Sequence, residues 1–259
     1  MTGLTPKDRP AVVTGASSGI GAATARALGA IGHPVVLGAR RVDRCEQVAD
    51  EIREAGGAAH SVALDLTDAV SVKAFAAEAA RLVGPVEVVV SNAGETRPGT
   101  ALGADTALFE RHLQVNVLGA QALVSLLGTD MVARRRGDIV FVTSEVVTSP
   151  RPGVAAYVTS KWAIEGLAQA MRMELEGTGV RVSVVRPGPT LTEMGWDWDP
   201  AVTGELLNEW QRWGLVRHMS FLAPEGVASA VAAVVSAPPG VHFTLVEVEP
   251  EAPVEGKSE

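Results

Sequence analysis

A glycine-rich segment limits the folds available to this chain. Residues 14–21 read Thr-Gly-Ala-Ser-Ser-Gly-Ile-Gly, directly after a short valine-containing run and before an alanine-rich stretch that continues to about Gly32. In that position Gly15 allows a sharp turn, Gly19 lets the backbone approach a pyrophosphate, and Gly21 lets the next helix pack closely. The free N–H groups of that helix would face the phosphates. The segment therefore predicts a dinucleotide-binding unit, with a turn that binds no ligand as the alternative.

Short apolar runs recur between longer helical stretches. Residues 86–90 and 180–185 are almost continuously apolar, as expected for strands covered on both faces. Asp68 is placed to cap one intervening helix, and the glycines at 56–57 and 84 to end two others. We therefore predict an α/β fold with a doubly wound, seven-stranded parallel sheet and helices on both faces. The expected strands are residues 11–14, 34–39, 59–64, 86–91, 138–143, 180–186 and 241–248.

The composition of the 259 residues fits a globular protein, with 47% apolar and 20% charged residues. A net charge of −8 argues against nucleic acid or an anionic membrane surface as a partner. The single cysteine, Cys45, cannot form an intramolecular disulfide, and residues 1–10 lack the apolar run of a signal peptide, so we expect a cytoplasmic protein. The most apolar helical candidate, residues 227–235, is too short for a membrane span. We expect one domain over residues 1–248 and a mobile acidic tail over residues 249–259.

Four short motifs, each at the end of a predicted strand or at the start of a helix, resemble those of one family. They are the TGxxxGxG spacing of residues 14–21, Asn92-Ala93-Gly94, the YxxxK spacing of Tyr157 and Lys161, and Arg186-Pro187-Gly188. Each alone is weak evidence, since such sequences also form ordinary turns. Together they are similar to the short-chain dehydrogenase/reductase family across most of the chain. The resemblance implies a Rossmann-like fold and an oxidoreductase that interconverts a carbonyl and an alcohol by hydride transfer.

The resemblance assigns catalytic roles to four residues. Tyr157 and Lys161 are four positions apart on a predicted helix, so their side chains leave the same face. A lysine ammonium, helped by a positive nicotinamide, favours the phenolate, so Tyr157 is expected to be the general acid–base. Ser144 is similar to the serine that hydrogen-bonds the reacting oxygen, and Asn116 to the asparagine that bends a helix and holds a water of the proton relay. The structural alternatives are a buried aromatic, a solvated charge, a helix cap and a satisfied buried amide, respectively.

The end of the second strand favours NADP(H) over NAD(H). NAD enzymes place an acidic residue about 20 residues after the glycine turn to hold the ribose 2′-hydroxyl, whereas an arginine accommodates the 2′-phosphate. Here Ala39 occupies the acidic position, and Arg40 is expected to hold the phosphate, with Ser17 adding a hydroxyl contact. Solvated charges at Arg40 and Arg41 are the alternative. Asp43 is expected to cap the following helix.

Further cofactor contacts are implied by the resemblance. Lys161 would also bind the nicotinamide ribose, and Asp65 would contact the adenine ring. We expect no metal ion. The expected cofactor-binding residues are Gly15, Ser17, Ser18, Gly19, Ile20, Gly21, Arg40, Arg41, Asp65, Leu66, Asn92, Ala93, Gly94, Tyr157, Lys161, Pro187, Gly188, Thr190 and Thr192.

Residues 188–221 are expected to form a lid over the substrate, because family members use this segment in that way. It holds Trp196, Trp198, Trp210, Trp213, Met194 and Met219. These side chains either wall an apolar pocket or form a small separate core beneath a long loop. Glu145, where the family usually has a small residue, and Glu95 either face the substrate entrance or point to solvent.

Two functions are compatible with these features. The first is an NADP(H)-dependent reductase or dehydrogenase acting on an apolar ketone, aldehyde or alcohol, with neither direction favoured. The alternative is a catalytically silent NADP-binding sensor or scaffold on the same fold, against which the presence of all four catalytic residues argues. The extended epimerase/dehydratase branch is disfavoured by the chain length and by the TGxxxGxG spacing.

The resemblance also implies a homodimer or homotetramer that forms through two long helices, at about residues 104–134 and 155–176. The chain departs from the family at its last predicted strand. The glycine-rich finish that is usual there is replaced by residues 240–249, Gly-Val-His-Phe-Thr-Leu-Val-Glu-Val-Glu. This departure puts in doubt any subunit interface formed by this end of the chain.

Overall fold

A computed structural model describes residues 9–216 and 218–253. Within them, seven parallel strands form one sheet in the order β3-β2-β1-β4-β5-β6-β7, which confirms the predicted doubly wound, Rossmann-like architecture. The strand order reverses beside β1, so a crevice opens where β1 and β4 end. The strands are β1 (Ala11–Thr14), β2 (Val35–Ala39), β3 (Ala59–Ala63), β4 (Val88–Ser91), β5 (Gly137–Val142), β6 (Val180–Pro187) and β7 (Leu245–Val248).

Helices cover both faces of the sheet. In β1, Val13 packs with residues of α1, α2 and α8, whereas Val12 packs on the opposite face with residues of α3, α5 and α6. Both valines are fully buried, as alternation along a doubly covered strand requires. The α-helices in the described residues are α1 (Gly19–Ala30), α2 (Val42–Glu54), α3 (Ala69–Val83), α4 (Thr106–Leu113), α5 (Gly119–Arg134), α6 (Ala155–Glu174), α7 (Pro200–Arg212) and α8 (Pro224–Val235).

Several local predictions can be compared with these boundaries. The Asp68 cap is confirmed, because its carboxylate accepts a 2.8 Å hydrogen bond from the N–H of Val70. The Asp43 cap is wrong: α2 begins at Val42, which places Asp43 inside the first turn. The strand predicted over residues 241–248 pairs with β6 only from Leu245.

The helix predicted over residues 104–134 is interrupted. A π-helical turn, Gln114–Leu118, joins α4 to α5 and contains Asn116. The interruption lies at the predicted bend, and π-turns of this kind are frequent at functional sites. The leader at residues 1–8 and the end of the predicted tail, residues 254–259, lie outside the described residues.

One helical stretch, Thr106–Arg134, is long and apolar enough to meet the length and composition criteria for a membrane span. Its α5 portion packs Leu123, Val124 and Leu127 into the core on one face of the sheet. A core helix of a globular domain meets the same criteria, so the stretch is weak evidence of a membrane span.

Candidate functional site

The glycine-rich turn joins β1 to α1 in backbone conformations that favour glycine. The φ angle is +67° at Gly15 and +53° at Gly19. A Cβ atom on Gly21 would collide with the carbonyl oxygen of Gly15 and lie 2.6 Å from the amide nitrogen of Asn92. Ser18 occupies the N-cap position but makes no side-chain capping bond, so the first N–H groups of α1 remain for a ligand in the crevice.

Hydrogen bonds hold the ends of β1 and β4 together beneath this turn. The Thr14 hydroxyl accepts hydrogen bonds from the N–H groups of Asn92 and Ala93, both at 3.0 Å. The Asn92 amide donates to the carbonyl oxygen of Thr14, also at 3.0 Å. Thr14 was not among the predicted site residues, although it is the first residue of the TGxxxGxG motif. These bonds hold the residues that follow β4 close to the end of β1, at the base of the crevice.

The structure places Arg41, rather than Arg40, against the glycine-rich turn. The Arg41 guanidinium donates to the hydroxyl of Ser18 at 2.8 Å and to that of Ser17 at 3.1 Å. The same guanidinium contacts the carboxylate of Glu193 at 2.7 Å. Arg41, just after β2, therefore donates to the hydroxyl groups of the glycine-rich turn and to an acid from the predicted lid.

The other predicted cofactor residues surround the same crevice. Asp65 accepts two hydrogen bonds from Thr67, at 2.7 and 2.9 Å, which hold the pKa of its carboxyl below the ordinary value. Leu66 follows it and is buried. Across the crevice, the methyl group of Thr192 would lie 3.0 Å from a Cβ on Gly19, so this part of the predicted lid segment lies against the turn.

The loop after β6 is held by two short contacts. Gly188 follows Pro187, the last residue of β6, and its N–H donates to the carbonyl oxygen of Val248 at 2.8 Å. The hydroxyl of Thr190 donates to the carbonyl oxygen of Gly188 at 2.9 Å. These bonds fix the direction in which the chain leaves the sheet towards Thr192.

Tyr157 and Lys161 lie on one face of α6, as their spacing predicts. The Lys161 amine is 5.6 Å from the centre of the Tyr157 ring and donates to the carbonyl oxygen of Val142 at 3.1 Å. Ser144 follows β5 at the same sheet edge, is buried, and interacts with the Tyr157 hydroxyl. Its hydroxyl also accepts a 3.3 Å hydrogen bond from the N–H of Val146, so the capping role considered for it coexists with a place beside Tyr157.

Burial controls the ionisation of this pair. Burial raises the pKa of Tyr157 to about 12, and the hydrogen bond with Ser144 opposes this rise. Burial also lowers the pKa of Lys161 to about 8, against the raising effect of the Glu165 carboxylate. A general acid–base working near neutral pH needs a tyrosine pKa lower than about 12, so positive charge near Tyr157 has to favour the phenolate.

Asn116 connects the catalytic helix to the loop after β4. Its amide donates to the hydroxyl of Ser160 at 2.9 Å and to the carbonyl oxygen of Glu95 at 3.0 Å, and its carbonyl accepts from the Glu95 N–H at 2.9 Å. A Cβ on Gly94 would lie 3.2 Å from the Asn116 oxygen and 3.6 Å from the Lys161 amine. The π-helical turn thus brings Asn116 within hydrogen-bonding distance of α6. The Asn116 amide is also buried and hydrogen-bonded, as the structural alternative for this residue expects.

A buried carboxylate lies behind the catalytic helix. Glu165, one turn after Lys161, accepts hydrogen bonds from Thr143 at 2.8 Å and from Arg186 at 2.7 and 3.0 Å. Arg186 also pairs with Glu247 on β7. The sequence analysis did not identify Glu165. Glu165 is a charged residue four positions after Lys161, so the two side chains share a helix face. This spacing could have identified Glu165 from the sequence.

A cavity of about 390 Å³ lies on the lid side and includes Glu145, the residue after Ser144, among its lining residues, whereas Ser144 and Tyr157 do not line it. Of the lid tryptophans, Trp210 is among its lining residues; Trp196 and Trp213 are largely exposed. Glu145 lines the cavity and pairs with buried Arg151, whose guanidinium stacks over Trp210 at 5.1 Å. The cavity is lined by Glu145, Thr148, Ser149, Arg151, Pro189, Leu207, Trp210, Gly214, Leu215, Val216, His218, Met219, Ser220, Phe221, Glu247, Glu249 and Pro250.

The remaining predicted features lie at the margins of the site. Glu95 pairs with Arg111 at 2.6 Å and is not among the residues lining that cavity. Trp198 donates from its indole N–H to the carbonyl oxygen of Thr96 at 3.1 Å, which holds the lid segment against the loop after β4. Glu249, in the predicted tail, lines the cavity.

Comparisons with known proteins identify the family to which this fold belongs. A family model described as short chain dehydrogenase matches residues 9–203. Glycine betaine reductase ATRR from Emericella nidulans is 33% identical over 241 residues, which cover 93% of this chain but only 18% of that protein. A metagenomic short-chain oxidoreductase in complex with NADP is 33% identical, with a TM-score of 0.79, and the match covers 95% of this chain and 99% of that one.

A second solved structure carries a different nucleotide. The 3-ketoacyl-(acyl-carrier-protein) reductase of Brucella melitensis, complexed with NADH, is 27% identical with a TM-score of 0.79, covering 94% of this chain and 98% of that one. This chain shares its fold with both solved structures. On that fold it carries the glycine turn, the Asn-Ala-Gly element and the Tyr157–Lys161 pair. The chain belongs to the short-chain dehydrogenase family of oxidoreductases.

Proposed function

We propose that this protein is an NADP(H)-dependent enzyme that interconverts a ketone or aldehyde and the corresponding alcohol. The observation that carries the proposal is the convergence of Ser144, Tyr157 and Lys161 at one sheet edge, beside the crevice formed by β1 and β4. Asn116 is tied to the same helix through Ser160. This arrangement supports an active enzyme over a silent scaffold, because a scaffold has no use for a buried lysine beside a tyrosine.

The residues of the crevice fit a dinucleotide. A Cβ on Gly15 would lie 2.8 Å from the Cα of Ala93, so the turn and the Asn-Ala-Gly element approach more closely than larger side chains allow. The first N–H groups of α1, which the Ser18 side chain does not cap, would donate to the pyrophosphate. Lys161 and Gly94 would border the nicotinamide ribose, and Asp65 and Leu66 the adenine ring. The bound cofactor supplies the hydride.

The chain's own residues orient the substrate and move the proton. Ser144 would hydrogen-bond the reacting oxygen, and the Tyr157 hydroxyl would protonate it during reduction or remove its proton during oxidation. Since burial raises the pKa of Tyr157, the Lys161 ammonium must favour the phenolate once the site is assembled. The fixed position of that amine, set by its bond to Val142, keeps it beside Tyr157 throughout.

The residues at the end of β2 support a preference for the cofactor that carries a 2′-phosphate. Ala39 leaves this position without an acidic group, and Arg41 with Ser17 presents donors suited to a 2′-phosphate. The relatives include proteins with NADP and with NADH, so family membership alone does not fix the choice. The local charges support NADP(H).

An apolar substrate fits the walls of the cavity, which include Trp210, Phe221 and Leu207. The Glu145–Arg151 pair adds a polar edge beside Ser144 that would exclude substrates with large apolar groups at that end. Exposed apolar side chains on α5 and α6, including Leu126 and Trp162, support a homodimer or homotetramer formed through these helices. A single buried cysteine is compatible with a cytoplasmic location.

A substrate screen tests the proposed function directly. Apolar ketones, sugars and secondary alcohols would be incubated with NADPH, NADP⁺, NADH and NAD⁺, and the nicotinamide absorbance followed. We expect turnover with NADPH or NADP⁺ on apolar compounds, at rates above those for sugars. Nucleotide binding without turnover of any compound in the panel would instead favour the silent sensor, and faster turnover of sugars would contradict the apolar pocket.

A further inference from the structure

The predicted lid reaches back across the cofactor crevice through one acidic side chain. Glu193, six residues after the end of β6, contacts Arg41 at 2.7 Å and Arg44 at 2.7 and 2.9 Å. Arg41 stands at the N-cap position of α2, and Arg44 lies in the first turn. A carboxylate is therefore held between two guanidinium groups that precede it by 149 and 152 residues.

The Arg41 guanidinium has its donors occupied on both sides. One terminal nitrogen donates to Glu193, and the other donates to Ser17 and Ser18 in the glycine-rich turn. Its remaining nitrogen also faces Ser17, at 3.3 Å. A 2′-phosphate arriving at this cluster would meet an arginine whose outward donor already binds a negative group, so phosphate and carboxylate compete for it.

The position of the lid backbone supports this competition. Thr192, the residue before Glu193, lies against Gly19, with its methyl group 3.0 Å from where a Cβ would stand. The backbone that carries Glu193 is thus already held over the turn. The two ion pairs keep Glu193 charged, with its pKa held below the ordinary value.

We infer that Glu193 is a specificity-determining residue that occupies the 2′-phosphate subsite of Arg41 and weakens the preference for NADP(H) over NAD(H). The inference rests on the proposed NADP(H) function. NADH carries no 2′-phosphate, so it binds with Glu193 still paired to both arginines. NADPH must displace the carboxylate from Arg41, and Arg44 remains as its partner.

The exposure of the three side chains sets the scale of the effect. Glu193 is 38% exposed, and Arg41 and Arg44 are 44% and 43% exposed, so solvent screens the pairs. The Glu193–Arg41 pair is therefore weak enough for NADPH to displace the carboxylate. Its loss is still expected to change the NADPH dissociation constant measurably. We expect removal of the charge to tighten NADPH binding by about 3- to 10-fold at low ionic strength, with the gain shrinking as salt is added.

The test compares dissociation constants for NADPH and NADH in the wild-type chain, in Glu193→Gln and in Glu205→Gln. Glu205 is an exposed acid on α7 in the same lid, so its variant controls for the loss of one negative charge. We expect Glu193→Gln to tighten NADPH binding and to leave NADH binding within about twofold, and Glu205→Gln to change neither. Unchanged or weaker NADPH binding in Glu193→Gln would overturn the inference, as would an equal gain in Glu205→Gln.

An Arg41→Ala variant separates this inference from the proposed function. If Arg41→Ala weakens NADPH binding while Glu193→Gln does not strengthen it, only the role of Glu193 fails. If Arg41→Ala leaves NADPH binding unchanged, Arg41 does not form the phosphate subsite, and both the role of Glu193 and the argument for NADP(H) from Arg41 fail, whereas the oxidoreductase activity is judged by the substrate screen.

Discussion

The amine of Lys161 donates a 3.1 Å hydrogen bond to the carbonyl oxygen of Val142, the last residue of β5. Two residues further along the chain comes Ser144. The bond therefore joins the helix that carries Tyr157 to the strand that positions Ser144. The bond also holds the Lys161 ammonium group in a buried position. Burial of this charge is expected to lower the free energy of unfolding.

We predict that Lys161→Met stabilises the protein near neutral pH. The pKa of Lys161 is lowered from 10.5 to about 8, so the unfolded chain binds this proton more tightly than the folded chain does. Wild-type stability should therefore rise with pH between about 8 and 10.5 and carry the full cost of the buried charge below 8. That cost is about 3 kcal/mol, from which about 1 kcal/mol is subtracted for the lost hydrogen bond to Val142.

Urea denaturation of both proteins without nucleotide, at pH 7 and pH 10, measures this difference. Lys161→Met should be more stable by about 2 kcal/mol at pH 7, with a smaller advantage at pH 10. The same difference at both pH values, or a less stable variant at pH 7, would show that burial of the charge is not what sets the stability of this region.

A second prediction concerns the glycine-rich turn. Gly21→Ala places a Cβ against the carbonyl oxygen of Gly15, a backbone atom that can move only if the turn moves. We expect the dissociation constant for NADPH to rise by about tenfold or more, because the N–H groups of α1 lose their alignment. Gly204→Ala, on α7 where the added Cβ meets nothing within 4 Å apart from its chain neighbours and the adjacent backbone of its own helix, is the matched control and should bind NADPH as the wild type does. Equal affinity in the two variants would contradict the assigned role of the turn.

We predict that cofactor preference depends on Arg41 more than on Arg40. Arg41 contacts Ser17 and Ser18, so its replacement by alanine should weaken NADPH binding by roughly 10- to 150-fold, the range for a charge-assisted contact. NADH binding should change by less than about threefold, since it has no 2′-phosphate. Arg40→Ala is expected to have a smaller effect on NADPH. Titrations of both nucleotides into the two variants decide between the arginines, and a larger loss in Arg40→Ala would reverse the assignment.

Structural features that depend on residues close together in the sequence could be predicted. The glycines of residues 14–21, the alternation of strand and helix, and the shared helix face of Tyr157 and Lys161 depend on neighbours in the chain. The doubly wound sheet follows from them, because parallel strands joined by helices have few other arrangements.

Features that depend on side-chain direction or on distant contacts could not be predicted. Arg40 and Arg41 are adjacent, and only the start of α2 decides which of them faces the turn. Glu193 meets Arg41 across 152 residues, and no local pattern marks that contact. The raised pKa of Tyr157 comes from burial, which is a property of the assembled fold.

The central claim is that Tyr157 transfers the proton in a reaction of a bound nicotinamide, and Tyr157→Phe tests it most directly. The variant keeps the ring but loses the hydroxyl, while the glycine turn and Arg41 are unchanged. With NADPH and the best ketone from the substrate screen, we expect the NADPH dissociation constant to stay within about twofold and turnover to fall by at least about 100-fold. Turnover equal to that of the wild type, in a variant that still binds NADPH, would contradict the account.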